Sequence, residues 1–260
     1  MIGQEIRLLL TAVQYFTRLP VPAWIGHGPA QLNQAARYFP AVGVLVGGVA
    51  ALVLWLAALV APLPIAVLLS MMAGILLTGG FHEDGLADSC DGFGGGWQRE
   101  DVLRIMKDSR LGSFGALGLF LVLGLKAALL MALPLAWLPA ILVAAHGYSR
   151  WLPMLLIWRL DYVRDEDAAK AKPMVQAMAP ASLIIGAACG ILPALLLLHD
   201  LALPGLLLGL PLAVLLGLYC RKRIGGYTGD ALGAVQQLTE IAFYFGCGLI
   251  LWHSPGIAAG

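Results

Sequence analysis

Long apolar runs alternate along the chain with polar connections, some very short and some long. A helix needs roughly 20 predominantly apolar residues to cross the hydrocarbon core of a bilayer. The runs at 41–61, 64–80, 113–133, 137–157, 181–198 and 204–220 meet or approach that length, and a shorter one closes the series at 240–252. Very short connections fall at 62–63, 134–136 and 199–203, and long polar ones at 81–112, 158–180 and 221–239. The pattern predicts an all-α, polytopic transmembrane helical bundle of about six or seven spans. Its helices pair through short turns on one side, and the long connections gather on the other. The length of the last run leaves open whether it crosses or re-enters.

Composition agrees. Hydrophobic residues make up 60% of the chain, charged residues only 12%, and the mean hydropathy is +0.85, whereas soluble domains carry about 25% charged residues. A net charge of +1 gives no reason to expect nucleic acid as a partner; the bilayer itself is the expected one. The charge that exists is sided. Arg7, Arg18, Arg37, Arg99, Arg104, Lys107, Arg110, Arg159, Arg164, Lys170, Lys172 and Arg221 to Arg223 all fall in the first stretch or the long connections, and only Lys126 and Arg150 do not. Lys and Arg favour the cytoplasmic side, so the long loops are expected there. The opening MIGQEIRLLLTAVQYFTRLP lacks the basic start and cleavage site of a secretory signal and reads as an amphipathic helix at the membrane surface. Cys90, Cys189, Cys220 and Cys247 show no CxxC spacing, so reduced thiols are expected. Gly43, Gly47, Gly48, Gly205 and Gly209 suit close helix packing in lipid.

Candidate chemistry concentrates in GGFHEDGLADSCDGFGGGWQREDVLRIMKDSRLG, residues 79–112. Asp84, Asp88 and Asp91 are spaced by four and three, which at about 100° per residue puts them on one stripe of a helix. Like charges so stacked are tolerated most easily around a divalent cation, and hard oxygen ligands select Mg²⁺ or Mn²⁺. Mg²⁺ completes its shell with water and substrate phosphates, which points to phosphoryl or nucleotidyl transfer. Gly85 implies a close backbone approach or a break. Gly92, Gly94, Gly95 and Gly96 are expected to end the helix and to offer amides to an anion. His82 and Glu83 are candidates for a ligand or a proton-transfer group. The plain alternative is a solvated acidic loop.

A short amphipathic helix follows from Arg99, with Val102, Leu103 and Met106 turned inward. Arg104, Lys107 and Arg110 set cations beside the carboxylates, as a diphosphate requires; Arg104 and Asp108 also fit an ordinary helix pair. Asp108 is a candidate to orient the cations. In RKRIGGYTGDALGAVQQLTE the glycines Gly225, Gly226 and Gly229 make a flexible turn, Asp230 is placed to cap the next helix, and Glu240 sits where that helix meets lipid. An acid at membrane depth is costly unless paired or facing a wet cavity, which makes Asp230 and Glu240 further candidates. His146 and Arg150 inside a span fall under the same rule, and Lys126 is expected to snorkel.

The runs GGFHEDGLADSCDGFGGG and IMKDSRLGSFG, the early YFTRLPVP and RYFPAVGVLVG, and the late GYTGDALGA with Glu240 downstream closely resemble the cobalamin synthase family, also called adenosylcobinamide-GDP ribazoletransferase. The resemblance runs in order from Tyr15 to about Glu240. It implies a cytoplasmic-membrane (inner-membrane) enzyme of late coenzyme B12 synthesis that joins adenosylcobinamide-GDP to α-ribazole or its 5′-phosphate, releases GMP and needs Mg²⁺. It carries functional weight onto Asp84, Gly85, Asp88, Asp91 and Gly92, and onto Lys107, Asp108, Ser109 and Arg110. The family often has a Leu-like residue where this chain has Glu83, so Glu83 gains nothing from it. One catalytic domain over 1–260, with active-site loops at about 81–112 and 221–240, is the expected organisation; a homo-oligomer is left open. In the mechanism so implied, Asp84, Asp88 and Asp91 hold the metal on the diphosphate, Lys107 and Arg110 stabilise the same oxygens, and a carboxylate or His82 takes the proton of the attacking hydroxyl. Gly94, Gly95, Arg104, Gly226, Asp230 and Glu240 complete the candidate substrate contacts. Two other readings are a CDP-alcohol phosphotransferase, whose motif differs from Leu86-Ala87-Asp88 here, and a membrane transporter, whose site is expected nearer the bilayer midplane.

Overall fold

The computed structural model describes residues 2–26, 28–163, 175 and 178–254; Arg164, Lys170 and Lys172 lie outside them. The order of helices is α1 (Ile2–Phe16), α2 (Pro29–Ala35), α3 (Phe39–Ala58), α4 (Leu63–Thr78), α5 (Phe81–Gly95), α6 (Arg99–Met106), α7 (Ser113–Met131), α8 (Leu138–Arg159), α9 (Pro180–Leu198), α10 (Ala202–Ile224) and α11 (Gly229–Leu251). Proline stands in the first turn of α2, α3, α4, α8 and α9, where its missing N–H would have no helical partner anyway.

Among the described residues, five helices are long and apolar enough to cross a membrane, or six when the bent pair α4–α5 is counted as one span. One of the five is the stretch Pro180–Ile224, which doubles back at His199, the one described non-glycine residue with positive φ. Gly190 lies against Gly147 and Gly209 against Tyr148, so both arms meet α8 at the same depth as antiparallel passes. The last helix starts at Gly229 and runs 23 residues, far earlier than an apolar start at residue 240 suggests. Its polar residues are buried inside the bundle, so it reaches spanning length.

Glycines set the helix spacing. A Cβ at Gly47 would lie 2.7 Å from the Leu142 carbonyl oxygen, and one at Gly205 would lie 2.8 Å from the Phe243 ring. Gly48 is the exception to the expected packing role, with nothing within 4 Å of a Cβ. α1 buries Leu8, Ala12, Val13 and Phe16, the one-sided pattern expected of a surface helix. The loops after α8 and before α11 meet on the charged face, where Val163 N–H donates to Tyr227 O (2.9 Å) and Tyr227 N–H donates to Asp161 O (3.0 Å).

The corner between α4 and α5 decides where the acidic segment goes. Gly79 and Gly80 have φ of +71° and +72°, a left-handed conformation that costs roughly 1–2 kcal/mol per residue with a side chain and little for glycine. The chain turns through 89°. α5 therefore leaves the axis of α4 and packs against α7 and α11.

Candidate active site

The acidic stripe is helical, as its spacing requires, but its members have different surroundings. Asp84 is exposed and Asp88 half-buried. Asp91 is buried, at 8% exposure, because its two oxygens accept the Gly112 N–H at 2.7 Å and the Gly115 N–H at 2.8 Å. These are free amides at the start of α7, so Asp91 fastens α5 to α7.

Asp230 joins the stripe from the other side. A Cβ at Gly85 would lie 2.9 Å from the Asp230 carbonyl oxygen, so Gly85 is the close backbone approach. Burial, and then Asp230, Asp84 and Asp91, push the Asp88 carboxyl up to about 7. Asp230 does not cap α11: the Thr228 hydroxyl does, accepting the Ala231 N–H at 3.1 Å. Asp84, Asp88 and Asp230 form no ion pair with any described residue. The described acids, histidines and cysteines nowhere form a group of three closed around a metal position. A set of hard oxygens with no ion pair among the described residues fits a cation that keeps most of its water and takes only one or two carboxylates, which is the habit of Mg²⁺.

The glycine run ends the helix at its far end, with Gly95 the last helical residue and Gly96 the C-cap. α5 continues through Gly92, Gly94 and Gly95, which spends their amides within it. Their small size is what matters, since a Cβ would meet Met106 at Gly92 (2.5 Å), Phe114 at Gly94 (2.6 Å) and Val102 at Gly96 (2.6 Å). Val102, Leu103 and Met106 are buried as expected. Arg99 Nε donates to Ile224 O at 2.8 Å and Arg223 Nη2 to Gly96 O at 2.7 Å, tying α6 to the end of α10. Gly226 packs on the Asp161 carbonyl.

The basic turn abuts the stripe because Gly112, two residues past Arg110, is held by Asp91. Lys107, Ser109 and Arg110 are exposed. Arg110 forms a forked pair with Asp108, with contacts of 2.6 to 3.1 Å, and those hydrogen bonds hold the Asp108 carboxyl down at about 2. Arg104 pairs with Asp101 at 3.0 Å, not with Asp108.

His82 and Glu240 lie apart from the stripe. At 3.6 residues per turn His82 projects about 160° away from Asp84; it is buried and stacked on Phe16 at 5.4 Å. Glu240 is 1% exposed, deep in the bundle. It takes an ion pair from Lys126 (2.6 Å) and hydrogen bonds from Tyr244 (2.7 Å) and Gln236 (2.6 Å), with His146 at 3.6 Å. Lys126 is therefore a buried partner and does not snorkel. Glu83 accepts from Gln237 at 2.9 Å and lines with Arg150, Lys126 and Glu240 a cavity of about 20 Å³, the room of one water. Gln236, Gln237 and Lys126 carry this network and were not singled out by spacing. Their signal is polarity at helix positions that should otherwise be apolar.

The family model described as cobalamin-5-phosphate synthase matches residues 8–248. The adenosylcobinamide-GDP ribazoletransferase of Shewanella frigidimarina is 52% identical over 246 residues, covering 93% of this chain and 94% of its own. That of Leptothrix cholodnii is 52% identical over 258 residues, covering 93% and 95%. No solved structure matches significantly. With the match running from α1 into α11, through the acidic stripe, the basic turn and Asp230, the chain belongs to the cobalamin-5-phosphate synthase family.

Proposed function

We propose that this chain is the adenosylcobinamide-GDP ribazoletransferase of a cobalamin pathway and that its reaction takes place where α5 lies across the starts of α7 and α11. Membership of the family supports the activity and sets aside the phospholipid and transporter readings. The site assignment is carried by one observation: Asp84, Asp88 and Asp230 come together across α5 and α11, and none forms an ion pair with a described residue. The charged face that holds them is cytoplasmic by the Lys and Arg bias, in the inner membrane.

The substrates are adenosylcobinamide-GDP and α-ribazole or its 5′-phosphate. A ribose hydroxyl of ribazole other than the 5′, which a phosphate occupies in one form of the substrate, forms a bond to the cobinamide-side phosphorus, the bridging P–O bond breaks, and GMP leaves with the bond's electron pair. One or two carboxylates of the Asp84–Asp88–Asp230 set would hold Mg²⁺, which would supply neutralisation of charge on the diphosphate and the departing GMP. Asp91 holds α5 against α7 and so keeps the carboxylates beside the basic turn. Lys107 and Arg110 supply cations for the same diphosphate, Arg110 pre-oriented by Asp108. A carboxylate oxygen of the Asp84–Asp88–Asp230 set takes the hydroxyl proton, since His82 is stacked away from it.

Asp84→Asn and Asp88→Asn are each expected to lower GMP release at least about 100-fold, with unfolding temperature unchanged. Turnover within about threefold of the unaltered protein for both, at saturating Mg²⁺, would remove the carboxylates from the site.

A further inference from the structure

Beside the acidic set, α1, α3, α5, α8 and α11 enclose a second cavity, of about 40 Å³ measured at water centres. That is room for roughly three waters, or about 90 Å³ of liquid, slightly less than a fused two-ring azole. Its walls are aromatic. Tyr15 and Phe39 lie parallel with centroids 5.9 Å apart, Phe16 and Phe81 meet edge to face at 5.3 Å, and the His82 ring lies within 14° of the Phe16 plane. Two buried polar side chains reach this apolar box. Gln236 spends its amide nitrogen on Ser149 (2.9 Å) and Glu240 (2.6 Å), which leaves its carbonyl oxygen without a partner. Arg150 donates through Nη1 to the His146 carbonyl, while its Nε has no partner. Both residues are at least nine-tenths buried, where an unmade hydrogen bond is costly.

We infer that this box binds the base of the ribazole substrate: a planar, largely apolar azole whose ring nitrogen accepts from Arg150 and whose sugar hydroxyl donates to Gln236. The inference rests on the proposed reaction and adds to it which substrate sits on which side of α5. Guanine, the other planar ring in the reaction, carries several donors and acceptors along its edges. Most of them would go unpaired between four aromatic side chains, so the box discriminates against it. Position agrees with chemistry. Gly229 and Gly233 line the box on either side of Asp230, and Phe81 and His82 open the helix that carries Asp84. A base held here therefore points its ribose toward the carboxylates.

The test narrows the box from two walls with Leu232→Trp on α11 and Ile157→Phe on α8, in the full chain reconstituted in lipid, with KM measured for each substrate. The expected result is a rise of at least tenfold in KM for α-ribazole, with KM for adenosylcobinamide-GDP within twofold and an unchanged unfolding temperature. Equal rises for both substrates, a rise for the GDP substrate alone, or no rise in either variant would overturn the inference. In the unaltered protein, free benzimidazole should compete with α-ribazole and not with adenosylcobinamide-GDP; competition with the GDP substrate would overturn it without any variant. Failure of the unaltered protein to release GMP at all would instead sink the reaction on which the inference rests.

Discussion

Asp91 shows how little a residue's type and spacing say about its job. It completes the stripe with Asp84 and Asp88, yet both of its oxygens are taken by the first amides of α7. Asn keeps one acceptor and sets an amide donor against the other N–H. Asp91→Asn is therefore expected to lower stability by about 1–3 kcal/mol, while the Mg²⁺ needed for half-maximal GMP release moves less than about twofold. Denaturant unfolding and a Mg²⁺ titration check the two halves. Unchanged stability with a large rise in required Mg²⁺ would return Asp91 to the metal set. The stripe itself was legible, since 3.6-residue periodicity operates within one helix. The split between its members was not, because the amides that claim Asp91 come from a helix start 21 residues further on. The neighbouring glycines show the same limit. Gly92 and Gly94 suit a phosphate cradle and a close helix crossing equally well in sequence, and only the partners Met106 and Phe114 distinguish them.

At the scale of the element, α5 is defined by its two ends and one crossing. Gly79 and Gly80 turn it off the axis of α4, Asp91 fixes its far half to α7, and Gly85 lets Asp230 approach from α11. The crossing gives a paired prediction. Gly85→Ala puts a methyl group 2.9 Å from the Asp230 carbonyl oxygen, so α5 and α11 must separate at about 1–3 kcal/mol, and GMP release should fall at least about tenfold. Gly48→Ala meets nothing within 4 Å and gains helix propensity, so activity should hold and stability should stay level or rise by up to about 1 kcal/mol. Thermal unfolding and initial rates on the two variants side by side decide it. Most boundaries of the apolar helices could be read from hydropathy to within a few residues. α11 could not, because its first half is polar, and it is helical there because Gln236, Gln237 and Glu240 find partners inside the bundle.

Across the whole molecule, the buried polar network holds together helices that lipid gives little reason to associate, since lipid tails are as apolar as the side chains. Lys126 of α7 and His146 of α8 converge on one carboxylate oxygen of Glu240 on α11. Removing one partner of a buried pair strands the other charge at a cost of about 3–5 kcal/mol. Lys126→Met alone should therefore lower stability by about that much, and Lys126→Met with Glu240→Gln should recover at least half. A double-mutant cycle on unfolding in mild detergent measures the coupling, and additive losses would show that the network does not work as a pair.

By itself the sequence determined the class of this protein, the number of its apolar spans to within one pass, the acidic stripe, the basic turn and the family. All of these rest on local periodicity, composition or motif order, which neighbouring residues carry among themselves. Only the tertiary structure brings Asp230 beside Asp84 and Asp88, gives the Asp91 oxygens to the first amides of α7, packs the glycines against Met106, Phe114 and Val102, joins Glu240 to Lys126 in the interior, and gathers four aromatic residues from α1, α3 and α5 around one cavity. Each of these depends on where a bent α5 comes to lie across helices distant in the chain. The energies that place it, desolvation, close packing and the pairing of buried polar groups, exist only once those helices meet.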